Sequence, residues 1–406
     1  GWYKGWVHVV HYANETFGGL RIGNSTVPVL LQMNWNSRQP NASNQSESKR
    51  LFTEGWWRSW RENVDWGCQA ALVQPAGVPH TETAVYLEAR GVIAMRATGK
   101  RLTTNPDTNE YWTTVWNGML DTTAYHRGFV SQVARFGAKS ACLLSKEGFF
   151  MASRGSADAL QMCQSQRIGM RATRVMYSHA PGIDNGHVFG SMDPDRYVDP
   201  YDPTVWEDAL SSCGETDVLV AYTTYDGLSL MSHINRTRRH FKAIFMLLAP
   251  DHPRFREWMG DVSEFVTVPA QWDKNMVTEC ELFGSNEHFW RTFVARWGHD
   301  PHYTSATTAF NAAAVILGAE RRGSVETLEV NAGIRQLDNV KTFYGIVQWG
   351  MQNMQGRDPA LLMHIGDTKS PIDPVEVAAE PFVYPIPARE ARQGCLAGKF
   401  RGKTML

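Results

Sequence analysis

The chain lacks the features that would place it at once in a membrane or nucleic-acid-binding class. No apolar run approaches the roughly 18 residues that a bilayer-spanning helix needs, so the sequence predicts no transmembrane segment. Its 40 basic and 41 acidic residues nearly cancel, which gives no electrostatic reason to expect nucleic acid or an anionic membrane as a partner. No signal peptide is visible. Since the chain opens directly on a helical pattern, we expect a processed or shortened segment of a longer product.

Motifs of catalysis and cofactor binding are also absent. The GxSxG elbow, the P-loop, GxGxxG and HExxH do not occur. No nucleophile, base and orienting group can be assembled from the sequence, so we expect a non-enzymatic protein without a cofactor. His8 and His11 share a helical face but have no third ligand, which favours a structural role over a metal site.

An acidic cluster within residues 178–203 is the other feature that we consider as a metal site. It lacks the glycine and the glutamate that an EF-hand loop requires, so we expect no calcium there. Prolines stiffen this segment, which leaves a partner-contacting loop as an alternative to a solvated one. The acidic residues are Asp193, Asp195, Asp199 and Asp202, and the prolines are Pro194, Pro200 and Pro203.

The six cysteines form no CxxC pair and show no zinc spacing. The sequence also contains five N-x-S/T sequons, mostly in segments that are typical of turns and loops. Together these features favour an exported, oxidising setting. We therefore expect an extracellular or cell-surface protein, with the periplasm as the alternative. The candidate glycosylation sites are Asn14, Asn24, Asn41, Asn44 and Asn235.

Strand and helix patterns alternate along the chain, which predicts an α/β fold with parallel sheets flanked by helices. The pattern restarts after Asn117, so we expect two such halves, the second interrupted by a long loop over 178–203. Predicted strands include 27–33 near the start and 343–349 and 360–365 near the end. The Pro-rich segment after Ser370 is expected to be extended.

The stretch DVLVAYTTYDGLSLM, residues 217–231, organises the second half. A short apolar strand pattern leads into the polar segment 223–227, and a helical pattern follows. In a parallel sheet the carboxyl end of a strand and the start of the next helix form an edge where ligands bind. The segment therefore predicts part of a binding cleft, and an ordinary β-to-α turn is the alternative.

Five segments carry a resemblance to a known family. They read ANETFGGLRIG before VPVLLQM, YLEARGVIAMRATG, RFGAKSACLLSKEGFF, DVLVAYTTYDGLSLMSHI and FYGIVQWGMQNMQGRD. Their order over about residues 1–366 resembles the type I periplasmic-binding-protein superfamily. This superfamily includes leucine/isoleucine/valine-binding proteins and the ligand-binding domains of natriuretic-type and glutamate-type receptors. The chain departs from the family pattern in three ways: the first strand would precede Gly1, Trp116 stands where the family often has arginine, and 178–203 resembles an insertion.

The resemblance implies two Rossmann-like lobes, joined by three crossovers, that close on a ligand. Lobe 1 would comprise residues 1–120, without the family's first strand, and lobe 2 residues 121–270. Residues 271–338 would supply helices that return to lobe 1, and 339–370 strands that return to lobe 2. Residues 371–406 would form an extended tail.

The resemblance also implies ligand-binding positions in both lobes. In lobe 1, Thr81 and Lys100 would hold a ligand carboxylate. In lobe 2, Asp226 or Asp251 would hold an ammonium group. Flat apolar or cation-π surface would come from aromatic residues of lobe 2. The full set of implied positions is His80, Thr81, Gly99, Lys100, Phe149, Tyr225, Asp226, Asp251 and Trp272.

Receptors of the natriuretic type carry a disulfide in the second lobe, so the resemblance implies a bridge between Cys163 and Cys213. Cys68 and Cys142 lie inside predicted strands and are interpreted as buried thiols. Two cysteines, Cys280 and Cys395, would pair either with each other or with another chain.

Tryptophans are concentrated near the start, and Trp56, Trp57 and Trp60 cannot all face one core from a single helix. Receptor relatives form homodimers through helices of lobe 1, so the resemblance implies such a dimer here, with a bulky core as the alternative.

We therefore expect an extracellular domain that closes on a small ligand, such as an amino acid or an amide, as the ectodomain of a membrane receptor. Its partners would be that ligand and a membrane-attached signalling or transport protein. One alternative is a structural or assembly glycoprotein that has lost its ligand. The other is the soluble binding component of an uptake system.

Overall fold

The computed structural model describes residues 2–32, 45–73, 80–97, 104–147, 150–166, 173–177, 203–224, 226–252 and 255–387. The chain divides into two compact units. Unit 1 consists of Gly1–Asp121 and Thr278–Arg357, and unit 2 of Thr122–Val277 and Asp358–Leu406. The chain therefore passes between the units three times.

Unit 1 is built around a five-stranded sheet with the strand order β15-β16-β5-β4-β3, in which β3, β4, β5 and β16 run parallel. Unit 1 also contains short two-stranded hairpins. The strands are β1 (Leu20–Ile22), β2 (Ser25–Val27), β3 (Ala70–Val73), β4 (Ile93–Arg96), β5 (Val115–Asn117), β11 (Glu279–Cys280), β12 (Gly284–Ser285), β13 (Lys341–Thr342), β14 (Gly345–Ile346), β15 (Trp349–Gly350) and β16 (Asn353–Met354). The helices are α1 (Trp2–Phe17), α2 (Gln45–Asp65), α3 (His80–Glu88), α9 (Asn286–Trp297), α10 (Tyr303–Arg322) and α11 (Thr327–Arg335).

Helix α10 forms the centre of unit 1. Its alanine-rich sequence lets neighbouring backbones approach closely, and most of its residues are buried. The helix begins where the side chain of His302 accepts a hydrogen bond from the amide of Thr304, and it ends at Gly323 in the left-handed conformation, with φ 64°. Helix α1 packs against it at Gly5, where a Cβ atom would lie 1.7 Å from the carbonyl oxygen of Ser305.

The tryptophans of α2 pack inside unit 1. Trp60 is 7% exposed, and its ring meets that of Trp56 edge-on. The indole nitrogen of Trp56 donates to Thr83 at 3.0 Å, and Trp57 contacts the ring of Tyr86. Trp60 belongs to the core of unit 1 and Trp56 packs against that core, whereas Trp57 contacts the ring of Tyr86 at its margin. Trp56 and Trp57 remain partly exposed.

Unit 2 contains a seven-stranded sheet with the order β18-β17-β10-β9-β8-β6-β7. Strands β7, β6, β8, β9 and β10 are parallel, and β17 and β18 extend the sheet antiparallel to their neighbours. The strands are β6 (Ala141–Lys146), β7 (Thr173–Tyr177), β8 (Val218–Tyr222), β9 (Ala243–Met246), β10 (Val266–Ala270), β17 (Ala360–Ile365) and β18 (Thr368–Asp373). The helices are α4 (Arg127–Arg135), α5 (Phe150–Ser165), α6 (Pro203–Cys213), α7 (Gly227–Thr237) and α8 (Phe255–Met259).

The central strands of unit 2 are buried along their whole length, as expected for parallel strands that helices cover on both faces. Side chains alternate between the two faces. Ser145 points toward α5, where its hydroxyl donates to the carbonyl oxygen of Ala152 at 3.2 Å. Cys142 and Lys146 therefore point to the opposite face, on which α6 and α7 pack together through a 2.7 Å hydrogen bond from Trp206 to Ser229.

Three expectations about the chain course need correction. The predicted strand over 27–33 is wrong within residues 28–32, where a proline follows the short β1–β2 hairpin and removes a backbone donor. Residues 339–357 belong to unit 1, because β16 pairs with β5; only residues from 358 onward return to unit 2. The start of the predicted tail is not extended coil, since β18 pairs with β17 and Phe382 and Ile386 are buried in the core of unit 2.

Candidate functional site

The carboxyl ends of the parallel strands in unit 2 form one edge, and polar residues follow several of these strands. Lys146 is the last residue of β6, and Thr223 and Thr224 follow β8. Asp251 lies in the segment after β9, and residues 271–273 follow β10. Parallel strands bring these segments to the same side of the sheet, where an open α/β fold binds ligands. We call this set the unit 2 edge.

A buried ion pair lies at the unit 2 edge. Nζ of Lys146 is 3.5 Å from Oδ2 of Asp226, and both side chains are at most 2% exposed. Nζ also donates to the hydroxyl of Thr224 at 2.9 Å. That hydroxyl donates to Oδ1 of Asp226 at 2.7 Å, and the amide of Thr224 donates to the same oxygen at 2.6 Å. The three residues therefore form one connected hydrogen-bond network.

The network holds the start of α7 in place. Asp226 is the residue before the helix, but its carboxylate bonds back to Thr224 rather than capping the helix. Gly227 leaves room for this arrangement, because a Cβ atom there would lie 2.5 Å from the hydroxyl of Thr223. Burial lowers the pKa of Lys146, and the charge of Asp226 opposes that shift. The pair is thus electrically neutral as a whole.

A second pair of opposite charge joins Asp251 to Lys369 of β18, whose Nζ donates to Oδ1 of Asp251. Asp273 lies nearby and accepts a 2.8 Å hydrogen bond from the amide of Asn275. The side chain of Asn275 donates in turn to the carbonyl oxygen of Lys369 at 2.8 Å. Burial raises the pKa of Asp273, and the lysine works against that shift.

A buried chain of side chains lies behind the unit 2 edge. The hydroxyl of Tyr222, the last residue of β8, is hydrogen-bonded to Nδ1 of His126 at 2.6 Å. Nε2 of His126 lies 3.3 Å from Oδ2 of Asp158 but is not aligned for a hydrogen bond. Burial lowers the pKa of His126 to about 3, so the imidazole is neutral near neutral pH. We interpret this chain as support for β8, because all of its contacts are internal.

Of the sequence-predicted ligand residues, the structure brings Asp226 and Asp251 to the unit 2 edge, each paired with a lysine. Trp272 is 5% exposed, so its ring is core rather than a flat open surface. Thr81 lies in the first turn of α3 in unit 1 and is half-buried, and His80 starts that helix. Gly99, Lys100, Phe149 and Tyr225 lie outside the described residues, as does the acidic cluster of 178–202.

Sequence reasoning missed Lys146. The signal was present, because ACLLSK is an apolar strand pattern that ends in lysine, just as VLVAY ends before the polar segment 223–227. Only the pairing of β6 with β8, with Ser145 opposite Tyr222, places that lysine beside the polar segment.

The predicted disulfide between Cys163 and Cys213 is wrong. Cys213 is bonded to Cys142, with Cα atoms 5.3 Å apart, and Cys163 is a buried free thiol. The expectation that Cys142 is a thiol is therefore also wrong. Right-handed connections from β6 to β7 and back from β7 to β8 place α5 and α6 on opposite faces of the sheet. Cys142 faces α6, which explains the pairing.

The remaining cysteines and sequons are less informative. Cys68 and Cys280 are free thiols, and Cys395 lies outside the described residues. Asn24 is exposed in the β1–β2 turn, whereas the amide of Asn14 bonds to the backbone of Val29 in both directions at 2.9 Å. Asn235 is partly buried. Asn41 and Asn44 lie outside the described residues.

The described residues contain neither a cluster that could hold a metal ion nor a membrane-spanning helix. Among these residues, no group of three or more histidine, cysteine or acidic residues is placed to hold a metal ion, and no helix is long and apolar enough to cross a membrane.

A cavity of about 860 Å³ lies at the opposite edge of the unit 2 sheet, beside Asp217 and Arg239. Both of these side chains are bonded internally, to Lys242 and to the carbonyl oxygen of Gly214. We assign no function to the cavity.

Comparison with solved structures decides the fold. A putative branched-chain amino acid ABC transporter from Silicibacter pomeroyi matches with a TM-score of 0.66 and 14% identity, over 95% of this chain and 94% of that one. The fold is that of the type I periplasmic binding proteins. The expectation of two α/β lobes with this fold is thereby confirmed.

Two further neighbours were solved with ligands. An ABC transporter substrate-binding protein from Desulfitobacterium hafniense, in complex with Leu, matches with a TM-score of 0.61 and 11% identity, over 91% of this chain and 95% of that one. A solute-binding protein from R. palustris, in complex with benzoate, gives 0.55 and 10%, over 95% and 94%. No protein-family model and no curated protein matches the sequence. At these identities the likeness is one of fold alone.

Proposed function

We propose that the chain is a non-catalytic binding protein that holds a small organic solute at the unit 2 edge. The observation that carries this proposal is the network of Lys146, Thr224 and Asp226. Replacing such buried pairs with apolar residues is often neutral or stabilising, so stability alone does not account for this network and a functional role is favoured. Its place at the carboxyl ends of β6 and β8 is where this type of sheet binds ligands.

The proposed ligand class rests on the polar groups of the unit 2 edge and on the ligands bound by two structural neighbours. The two ligand-bound neighbours carry leucine and benzoate, which share a carboxylate and an apolar body. Hydroxyl and ammonium donors such as those at the unit 2 edge suit an oxygen acceptor. We therefore propose that the ligand is a small carboxylate or amide with an apolar body. Amino acids belong to this class. Closure of two lobes on the ligand stays a prediction.

Two biological roles fit this proposal. The sequons and the oxidised Cys142–Cys213 pair favour an extracellular or cell-surface receptor domain. The neighbours, named as binding proteins of ABC transporters, favour a soluble uptake component in the periplasm. A membrane-attached signalling or transport partner is implied in either case. Dimerisation through helices of unit 1 is part of the receptor proposal only.

Ligand-induced stabilisation tests the proposed function. Thermal unfolding is measured with and without pools of amino acids, organic acids and amides, and a true ligand at a hundredfold excess over its Kd should add about 2.7 kcal/mol to the unfolding free energy. Thr224→Val should weaken binding because it removes the hydroxyl that links the network, whereas Thr237→Val, at the far end of α7, should not.

Small-angle scattering on the same samples tests closure, since a ligand that draws two lobes together lowers the radius of gyration. If no pool changes the melting temperature and the protein is a constitutive oligomer, the proposal is wrong, and the alternative of an assembly protein that has lost its ligand gains support.

A further inference from the structure

Both acids nominated to bind an ammonium group already have one. Asp226 is paired with Lys146, and Asp251 with Lys369. The two lysines come from different strands, β6 and β18, so the two pairings are independent observations. In each case the internal ammonium group occupies the acceptor that a cationic ligand would need.

The pairing at Asp226 is the more complete of the two. Its Oδ1 accepts from the amide and the hydroxyl of Thr224, and its Oδ2 faces Nζ of Lys146. Because the carboxylate is buried, an ammonium group from a ligand would have to displace Lys146 and leave that charge buried without its counter-ion, which is strongly unfavourable.

Other acids at the unit 2 edge do not replace these acceptors. Asp273 is already engaged inside the protein, because its carboxylate accepts a 2.8 Å hydrogen bond from the amide of Asn275. Glu147 follows Lys146 but is exposed, where water screens its charge. At the described part of the unit 2 edge, Asp226 and Asp251 therefore each carry an internal counter-ion.

We propose that Lys146 and Lys369 act as built-in counter-ions that make the unit 2 edge select ligands without a cationic amino group. The preferred solute is then a carboxylic acid or an amide with an apolar body and no α-ammonium. This inference rests on the proposed function and narrows its ligand class.

Matched ligand pairs test the inference on the whole chain. Isocaproate is compared with leucine, hydrocinnamate with phenylalanine, and isocaproamide with leucinamide, by calorimetry and by thermal unfolding. In each pair the two members differ by one amino group. We expect the member without the amino group to bind at least about tenfold more tightly in at least one pair.

Two variants test whether Lys146 causes the preference for ligands without an amino group. Lys146→Met removes the counter-ion of Asp226 and should shift the preference within the same ligand pair toward the member with the amino group by about tenfold. Lys146→Met/Asp226→Asn removes both charges and should lose the discrimination while keeping the fold, since removing a whole buried pair costs less than removing half of it. The matched control is Lys242→Met, which removes a lysine from an exposed pair with Asp217 at the opposite edge and should leave the preference unchanged.

The outcomes separate the two proposals. If every member with an amino group that binds does so at least as tightly as its partner without one, the inference is overturned and the proposed function stands. An unchanged preference in the double variant would also overturn it, even if the single variant fails to fold. If no member of any pair binds, the proposed function fails and the inference falls with it.

Discussion

The bond between Cys142 and Cys213 closes a loop across 71 residues of unit 2. Cys163 lies in the same core and is fully buried, but it is a thiol whose pKa burial raises to about 12. Cys163 lies on α5, which covers the face of the sheet opposite to α6, so it does not compete for the bond. The bond therefore fastens the end of α6 to a central strand.

Cys213→Ser should lower the unfolding free energy by about 4 kcal/mol, because the unfolded chain regains the entropy of a loop of this length. Cys163→Ala is the matched control from the same core and should cost less, about 1–2 kcal/mol. Peptide mapping without reductant should recover the Cys142 and Cys213 peptides joined. Recovery of Cys163 joined to Cys213 would contradict the assignment.

At the scale of elements, the crossing of α10 and α11 depends on two glycines. A Cβ atom on Gly333 would lie 1.9 Å from the carbonyl oxygen of Gly318, and one on Gly318 would lie 2.7 Å from the side chain of Ile334. The first contact is with backbone, which cannot move aside without shifting the whole helix. The two helices can approach this closely only because neither position has a side chain.

Gly333→Ala should therefore lower the unfolding free energy of unit 1 by about 2 kcal/mol, since the cost of overpacking exceeds the gain in helix propensity. Leu328→Ala is the matched control on the same helix, where a side chain 75% exposed should matter by less than about 0.5 kcal/mol. Denaturant titration measures both changes. Equal stability of Gly333→Ala and the parent would contradict the close packing.

At the scale of the whole molecule, both units bury neutral histidines. Burial lowers the pKa of His8 in unit 1 and of His126 in unit 2 to about 3, and that of His364 in unit 2 to about 4. The unfolded chain would bind these protons at the ordinary pKa of 6.5. Below that value the unfolded state holds more protons than the folded one, so stability falls as the pH falls.

Each of these histidines should cost about 2 kcal/mol of unfolding free energy on going from neutral pH to about pH 5. Denaturant titrations across this range should show the loss, and His364→Gln should reduce its slope. His288→Gln, at an exposed position, is the control and should leave the slope unchanged. A stability that does not change between these pH values would contradict the neutral assignment.

The amino-acid sequence alone determined the kinds and order of the elements. The apolar run of β8, the helical pattern of α7 and the glycines that end α9 and α10 are local signals, and local backbone preferences decide them. The two-unit α/β fold follows from their alternation.

Contacts between distant residues were decided only by the tertiary structure. Lys146 meets Asp226 across 80 positions because β6 pairs with β8, and Cys142 rather than Cys163 reaches Cys213 because the handedness of the connections sets which helix covers which face. Residues 339–357 return to unit 1 because strand β16 pairs with strand β5, which lies far away in the sequence. Sequence patterns record which face of an element is apolar, but the order of strands in a sheet sets which faces meet.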